Sequence, residues 1–287
     1  MKLGVSALVW ADRIGHDNVA PIEKAHELGF GSIEIVDVTP ATFDEAAAAA
    51  ALNRTGLTPI ISGDQSEASD LVVADPEAHQ RGQSLLRFWV DTAVRIDADL
   101  IGGGICNAPG RLWLADAAQK EQEFDRAVQN LRPAAAYAAE NGVRLAFEII
   151  NRYESSFLNT VEEGIRLVEA VDSPAFGLLL DTFHMHIEEK AVGAAIRRAG
   201  KHLFHFHAIE NDRGTPGSGS IDWSGVVDAL HEINYQDWIV IEGFNADVDW
   251  LAEAVSIWRP LADDMTRLAA DGQTFLNGII QARGAGS

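Results

Sequence analysis

Cysteine is nearly missing from this chain: Cys106 is the only one in 287 residues. A lone thiol forms no internal disulfide, so a disulfide-stapled scaffold is excluded and a reducing, cytoplasmic address is expected. Cations are scarce as well. Lys and Arg number 22 against 43 Asp and Glu, for a net charge of −21. A field of that sign repels phosphate backbones and anionic headgroups, which excludes nucleic acid and anionic membrane as partners. No apolar run approaches the ~18 residues of a membrane span. The start, Met1-Lys2-Leu3-Gly4-Val5, reaches Asp12 and Arg13 too soon for a signal peptide. Linkers, low-complexity tracts and a second domain are also lacking. The expectation is one domain over residues 1–287, with 271–287 as a C-terminal tail in which Phe275, Leu276, Ile279 and Ile280 dock as a last helix and residues 283–287 fray.

Apolar residues are plentiful at 47%, with 23% charged, which supplies a large core and excludes disorder and fibrous architectures. Short β-branched runs alternate with segments of helical period throughout. The runs fall at 3–9, 32–36, 58–61, 100–103, 144–149, 176–180, 203–207 and 238–241. Helices are expected after them at 18–28, 41–54, 76–96, 115–141, 159–171, 187–199, 222–234 and 248–270. Alternation of this kind implies parallel strands joined by crossover helices. Eight such units, in a length close to the ~250 residues typical of that fold, predict a single (β/α)₈ TIM barrel. Asn141-Gly142, Gly200 and Gly56 mark helix ends, and Thr160 and Asp222 mark starts.

Active sites of such barrels lie at the carboxyl ends of the strands. Four ionisable residues occupy those ends: Glu148 on the fifth strand, Asp181 on the sixth, His207 on the seventh and Glu242 on the eighth. Strand alternation turns each of them inward. Singly, each reads equally well as a cap, an ion-pair partner or a core histidine. Together they form a mixed oxygen and nitrogen set suited to Mn²⁺, Mg²⁺ or Co²⁺, without the thiolates of structural zinc. His205, two residues before His207, is placed one layer below. His184 overhangs the site, and His186 begins the next helix. Cys106 has no apparent base partner and reads as a small pocket-lining thiol.

Three segments stand out: Glu148-Ile149-Ile150-Asn151-Arg152-Tyr153-Glu154, the run Asp181-Thr182-Phe183-His184-Met185 followed by Glu188-Glu189, and His205-Phe206-His207 followed by Glu210-Asn211-Asp212-Arg213. They resemble the ketose 3-epimerases, the D-tagatose, D-allulose (psicose) and L-ribulose 3-epimerase group of xylose isomerase-like barrels. Pro216-Gly217-Ser218-Gly219, Ile221-Asp222-Trp223 and Ile241-Glu242-Gly243-Phe244 extend the likeness over nearly the whole chain. The resemblance implies metal ligation by Glu148, Asp181, His207 and Glu242, with Mn²⁺ as the metal. It implies that Glu154, His184 and Arg213 hold the O1–O2 end of a ketose, that Trp10 and Phe244 shape the pocket wall, and that the protein is a homodimer or homotetramer.

The chemistry so implied is epimerisation at C3 of a free ketose. The C3 proton lies α to a carbonyl, a divalent cation stabilises the developing enediolate, and two carboxylates remove and return the proton on opposite faces. Glu148 and Glu242 are the expected catalytic pair. The loops 62–66 and 104–113 depart from the family pattern, which leaves the distal half of the substrate open. Trp113 is a candidate cover for it. Other metal-dependent barrels of the superfamily stay open at this point: a hydroxypyruvate-type isomerase, an inosose dehydratase, or a deglycosidase acting on an oxidised sugar. A DNA-cleaving relative conflicts with the charge. A non-catalytic sugar-binding barrel leaves paired glutamates unexplained. The glycine-rich pieces 102–104 and 214–219 have no Lys-Ser/Thr beside them, which favours an unphosphorylated sugar.

Overall fold

The computed structural model describes residues 1–14 and 18–284, apart from the side chain of Trp250. Eight parallel strands close in chain order into a barrel: β1 (Lys2–Ser6), β2 (Ser32–Ile35), β3 (Thr58–Ser62), β4 (Leu100–Gly103), β5 (Arg144–Glu148), β6 (Phe176–Asp181), β7 (Leu203–Ala208) and β8 (Trp238–Ile241). Around it lie α1 (Ala20–Glu27), α2 (Glu45–Thr55), α3 (Pro76–Ile96), α4 (Ala117–Glu140), α5 (Val161–Val171), α6 (Thr182–Glu188), α7 (Val192–Ala199), α8 (Trp223–Glu232), α9 (Asp249–Ala254) and α10 (Met265–Gly284). The expected TIM barrel is therefore the observed fold.

Two apolar regions hold it together. The larger lies between strands and helices and takes the outward residues of each strand, such as Ile33 and Ile35 on β2 and Leu178 and Leu180 on β6. The smaller fills the barrel interior with Ile60, Leu100, Ala146, Leu179 and Val240. One step further along the same strands the inward residues turn polar, to Glu148, Asp181 and Glu242. The period-two alternation of the strands thus stacks a dry floor under a charged rim. No helix among the described residues is long and apolar enough to cross a membrane.

Local capping explains where element limits differ from expectation. β1 stops at Ser6 because its hydroxyl accepts the Leu8 N–H at 3.4 Å and starts a 3₁₀ turn over Ala7–Val9. The helix expected at 187–199 is two helices, α6 and α7. Asp181 caps α6 directly at the end of β6, and extended backbone at Glu189 separates it from α7. His186 accordingly lies in the last turn of α6, and does not begin a later helix. The segment expected at 248–270 is also interrupted: Ser256 adopts φ 57°, and Pro260 follows before α10 begins.

The tail from 271 docks as part of a last helix, which starts earlier than expected: α10 begins at Met265 and runs unbroken through that point. Leu276 is fully buried, worth about 1.5–3 kcal/mol for a side chain of that size. Phe275 packs edge-on against Trp223 at 5.9 Å, and Ile279 and Ile280 rest on the core. Arg283, expected to fray, is helical and pairs with Asp228 at 3.0 Å. Residues 285–287 lie outside the described residues.

Candidate metal and sugar site

Glu148, Asp181, His207 and Glu242 present ligand atoms that all lie within 4.8 Å of one another. Their centre is His207 Nδ1. It stands 3.4 Å from Glu242 Oε1, 3.8 Å from Glu148 Oε1 and 3.9 Å from Asp181 Oδ2. The ladder sets this register, because Asp181 pairs with His207 across β6 and β7, and Glu148 with Leu179 across β5 and β6. Asp181 is divided between two tasks. Its Oδ1 accepts the N–H groups of Phe183 and His184 at the start of α6, while its Oδ2 is buried without a hydrogen-bond partner.

A residue absent from the sequence reading fixes the imidazole. Glu34, fully buried on β2, accepts hydrogen bonds through Oε2 from His205 Nε2 at 2.8 Å and His207 Nε2 at 2.9 Å. With Nε2–H donated to Glu34, Nδ1 faces the carboxylates and is the nitrogen that a metal would take in exchange for a proton. His205 lies beneath, as expected. Glu34, His205 and His207 also cluster closely enough for a metal, but here their facing atoms are joined by hydrogen bonds. Burial pushes Glu34 upward, yet the charge of His207 and the bonds from both imidazoles hold it well below the usual carboxylate range. Burial works against the charge of His207, which Glu34 and Glu242 nevertheless raise well above its ordinary pKa.

The carboxyls opposite are raised. Burial and the Glu242 charge push Glu148 well up. Burial pushes Glu242 up to about 7, against the pull of His207 and Arg213. Three carboxyl groups and one imidazole converge, and both Asp181 Oδ2 and His207 Nδ1 are buried with no partner. A divalent cation satisfies this donor set: it neutralises the carboxylates and engages both orphaned atoms. The residues fit a metal.

A second group adjoins the first. Arg213 donates through Nη2 to Glu154 Oε1 at 3.0 Å and Oε2 at 3.3 Å, and its Nη1 lies 3.6 Å from Glu242 Oε2. Its guanidinium is sandwiched between Phe183, 4.0 Å from the ring centre, and Phe244, at 4.4 Å. Nε and Nη1 have no hydrogen-bond partner. The turn that places it is organised by Glu210, whose carboxylate accepts from Trp223 Nε1 and from the N–H groups of Asn211, Gly217 and Ile221. Arg213 itself takes φ 62°, held by its N–H donating to the Glu210 carbonyl.

His184 Nδ1 accepts from the backbone N–H of Asn151 at 3.2 Å and lies 2.8 Å from its side-chain nitrogen. The proton is thereby assigned to Nε2, which lies 3.7 Å from Glu148 Oε1. Burial, with Arg213 and His207 adding to it, keeps this imidazole neutral. Asn151 also donates to Glu154 at 2.9 Å, so it ties the His184 and Arg213 arms together.

Other expected residues fall differently. Trp10 is half-buried and donates to Thr266 Oγ1 at 3.1 Å. Trp113 stacks on Arg111 at 3.5 Å and donates to Glu123, which anchors it to α4. Cys106 is fully buried within the large core, and burial pushes its thiol up, away from nucleophilic character. Glu34, Asn151 and Phe183 are the site neighbours that the sequence reading did not single out. Only Glu34 carried a signal, as an acidic residue inside an apolar strand.

Residues 22–263 match the family model described as xylose isomerase-like TIM barrel. The chain is 33% identical over 281 residues to a D-psicose 3-epimerase of Enterocloster bolteae, covering 94% of this chain and 91% of the relative. It is 32% identical to an L-ribulose 3-epimerase of Mesorhizobium japonicum, over 98% of this chain and 95% of the relative. A crystal structure of D-allulose 3-epimerase from Methylomonas sp. in complex with D-allulose superposes with a TM-score of 0.90 at 30% identity, covering 97% and 96% of the two chains.

Proposed function

The chain belongs to the ketose 3-epimerases, isomerase-class enzymes built on xylose isomerase-like TIM barrels, and from that premise we propose that it inverts C3 of a free ketose. The observation that carries this reading is the meeting of Glu148 and Glu242, from strands β5 and β8, at one imidazole nitrogen. Besides holding a cation, two carboxylates offer a base and an acid to the two faces of one carbon, which an inversion needs.

Glu148, Asp181, His207 and Glu242 would hold a divalent cation, most simply Mn²⁺, with Mg²⁺ or Co²⁺ as substitutes. When bound, it supplies Lewis-acid stabilisation of the negative charge that develops beside the carbonyl. The chain's own groups do the rest. One of Glu148 and Glu242 takes the C3 proton, the other returns a proton to the opposite face, and their roles exchange for the reverse reaction. Arg213, with two unpaired donors, and His184, with Nε2–H free, bind the O1–O2 end. Glu154 and the two phenylalanine rings hold Arg213 against Glu242, and Trp10 shapes the wall further out.

An unphosphorylated sugar is supported by the glycine-rich loops. Their N–H groups already serve carboxylates: Gly104 donates to Asp64, Gly214 to Asp212 and Gly217 to Glu210. A phosphate entering there meets anions. Assembly into a dimer or tetramer is part of the proposal. The adjacent loops after β4 and β5, joined by the Arg111–Ser155 bridge, leave Leu112, Trp113, Leu114 and Tyr153 exposed. Sedimentation velocity that returned a monomer would remove that part.

The reaction is tested by stripping the protein with a chelator, restoring Mn²⁺ and incubating it with D-fructose, D-tagatose or L-ribulose. Appearance of the C3 epimer of at least one, dependent on metal, supports the proposal. Aldose formation or loss of water contradicts it.

A further inference from the structure

A ketose whose C1–C3 end is held by Glu154, His184 and Arg213 has the β5–β8 half of the rim filled beside it. On that reading its remaining carbons would extend over the loops after β1–β4. That half combines Trp10, just after β1, with small groups on β3 and β4. Ser62 ends β3, and Gly102 on β4 has no room for a side chain, since a Cβ there would come within 2.8 Å of Leu179 and 3.2 Å of His205. Above them stands one charged residue, Asp64.

Asp64 is exposed although its neighbours Gly63 and Gln65 are buried. It is not a stray surface charge. Its Oδ1 accepts the Gly104 N–H at 2.7 Å, which binds the loop after β3 to the loop after β4. It stands two residues past the end of β3, on the same carboxyl-end face of the barrel that carries Glu148, Asp181, His207 and Glu242. Among the described residues Gly104 is its one hydrogen-bond partner and no cation pairs with it. A carboxylate with one oxygen pinned and the other without a hydrogen bond among the described residues is an acceptor for hydroxyl donors.

We infer that Asp64 binds the hydroxyl groups of the ketose beyond C4 and so sets specificity for a polyhydroxylated, uncharged distal end. This rests on the 3-epimerase reading. Its negative charge also repels a terminal phosphate or carboxylate, the same choice made by the occupied glycine loops. Gly104 is needed to keep it in place, because a Cβ at that position would lie 2.5 Å from Asp64 Oδ1.

The test compares two substrates in the Mn²⁺-restored protein: the ketohexose or ketopentose turned over best, and erythrulose, which has no carbon beyond C4. D64A should lower kcat/KM for the longer ketose about 10-fold or more, chiefly through KM, and for erythrulose less than about 3-fold. G104A, which displaces the carboxylate while retaining it, should follow D64A in direction. Equal losses on both substrates would make Asp64 merely structural and overturn the assignment; so would no loss on either. If the wild type epimerises no ketose, the 3-epimerase reading fails separately. Calorimetric titration with D-fructose then decides for Asp64: binding weakened in D64N and D64A supports it, and unchanged or absent binding overturns it.

Discussion

The two halves of the barrel rim are built differently. From β5–β8 come all the groups that meet at His207 Nδ1, together with Glu154 and Arg213 on the loops that follow and His184 on α6. From β1–β4 come serine, glycine and the loop carboxylate of Asp64, with Glu34 one layer down gripping the far side of the imidazole. The difference separates tasks. One half assembles charge that must be buried to act, and the other leaves space and a hydrogen-bonding edge. On the proposed function, reaction type is tied to β5–β8, while substrate choice is left to β1–β4.

The largest effect expected from breaking the β5–β8 half is that of E242Q. Loss of one of two proton-transferring groups should lower epimerisation on the order of 10²–10⁴-fold. Because Gln puts a neutral oxygen in place of a charged ligand, Mn²⁺ affinity should fall as well, so turnover is read at saturating Mn²⁺, and retained turnover there would remove Glu242 from the reaction. A smaller effect belongs to Glu34. E34Q leaves all four converging side chains present but alters the bond that orients His207, and Mn²⁺ affinity measured by calorimetry should fall about 10–100-fold.

Protons compete with metal at the same atoms, so pH sharpens the comparison. Glu242, raised to about 7, must lose its proton to bind, and Mn²⁺ affinity should rise with pH through that region. The sign for stability is opposite in the metal-free protein. A carboxyl raised on folding stabilises the folded state at pH below its unfolded pKa, and that contribution is lost as pH climbs toward about 7. Added Mn²⁺ should therefore raise Tm more above pH 7 than below it. Equal gains on both sides would place the metal elsewhere. The smallest effect expected is in the loop behind Arg213. E210A leaves several donors unpaired, should cost roughly 1–3 kcal/mol in urea unfolding, and should raise KM more than it lowers kcat.

How much of this was legible in the sequence follows the same division. The eight strand–helix units and the convergence of Glu148, Asp181, His207 and Glu242 could be read because each residue closes an apolar run, where alternation decides its direction. Glu34 escaped because it sits inside Ser-Ile-Glu-Ile on β2, where a buried acid needs partners that lie over 170 positions away on β7. The Phe183–Arg213–Phe244 sandwich joins the start of α6 to two loops that no spacing rule connects to it. Helix limits failed where one side chain decides them: Ser6 starting a turn, Asp181 capping α6 without a gap, and Ser256 interrupting the segment before α10.

Isotope placement tests the central claim most directly. The Mn²⁺-restored protein is incubated in D₂O with a ketose that it turns over, and deuterium is located by NMR. Inversion by Glu148 and Glu242 predicts deuterium at C3 of the epimer, none at C1, and no incorporation after chelation. Deuterium at C1, or incorporation that survives removal of the metal, would contradict it.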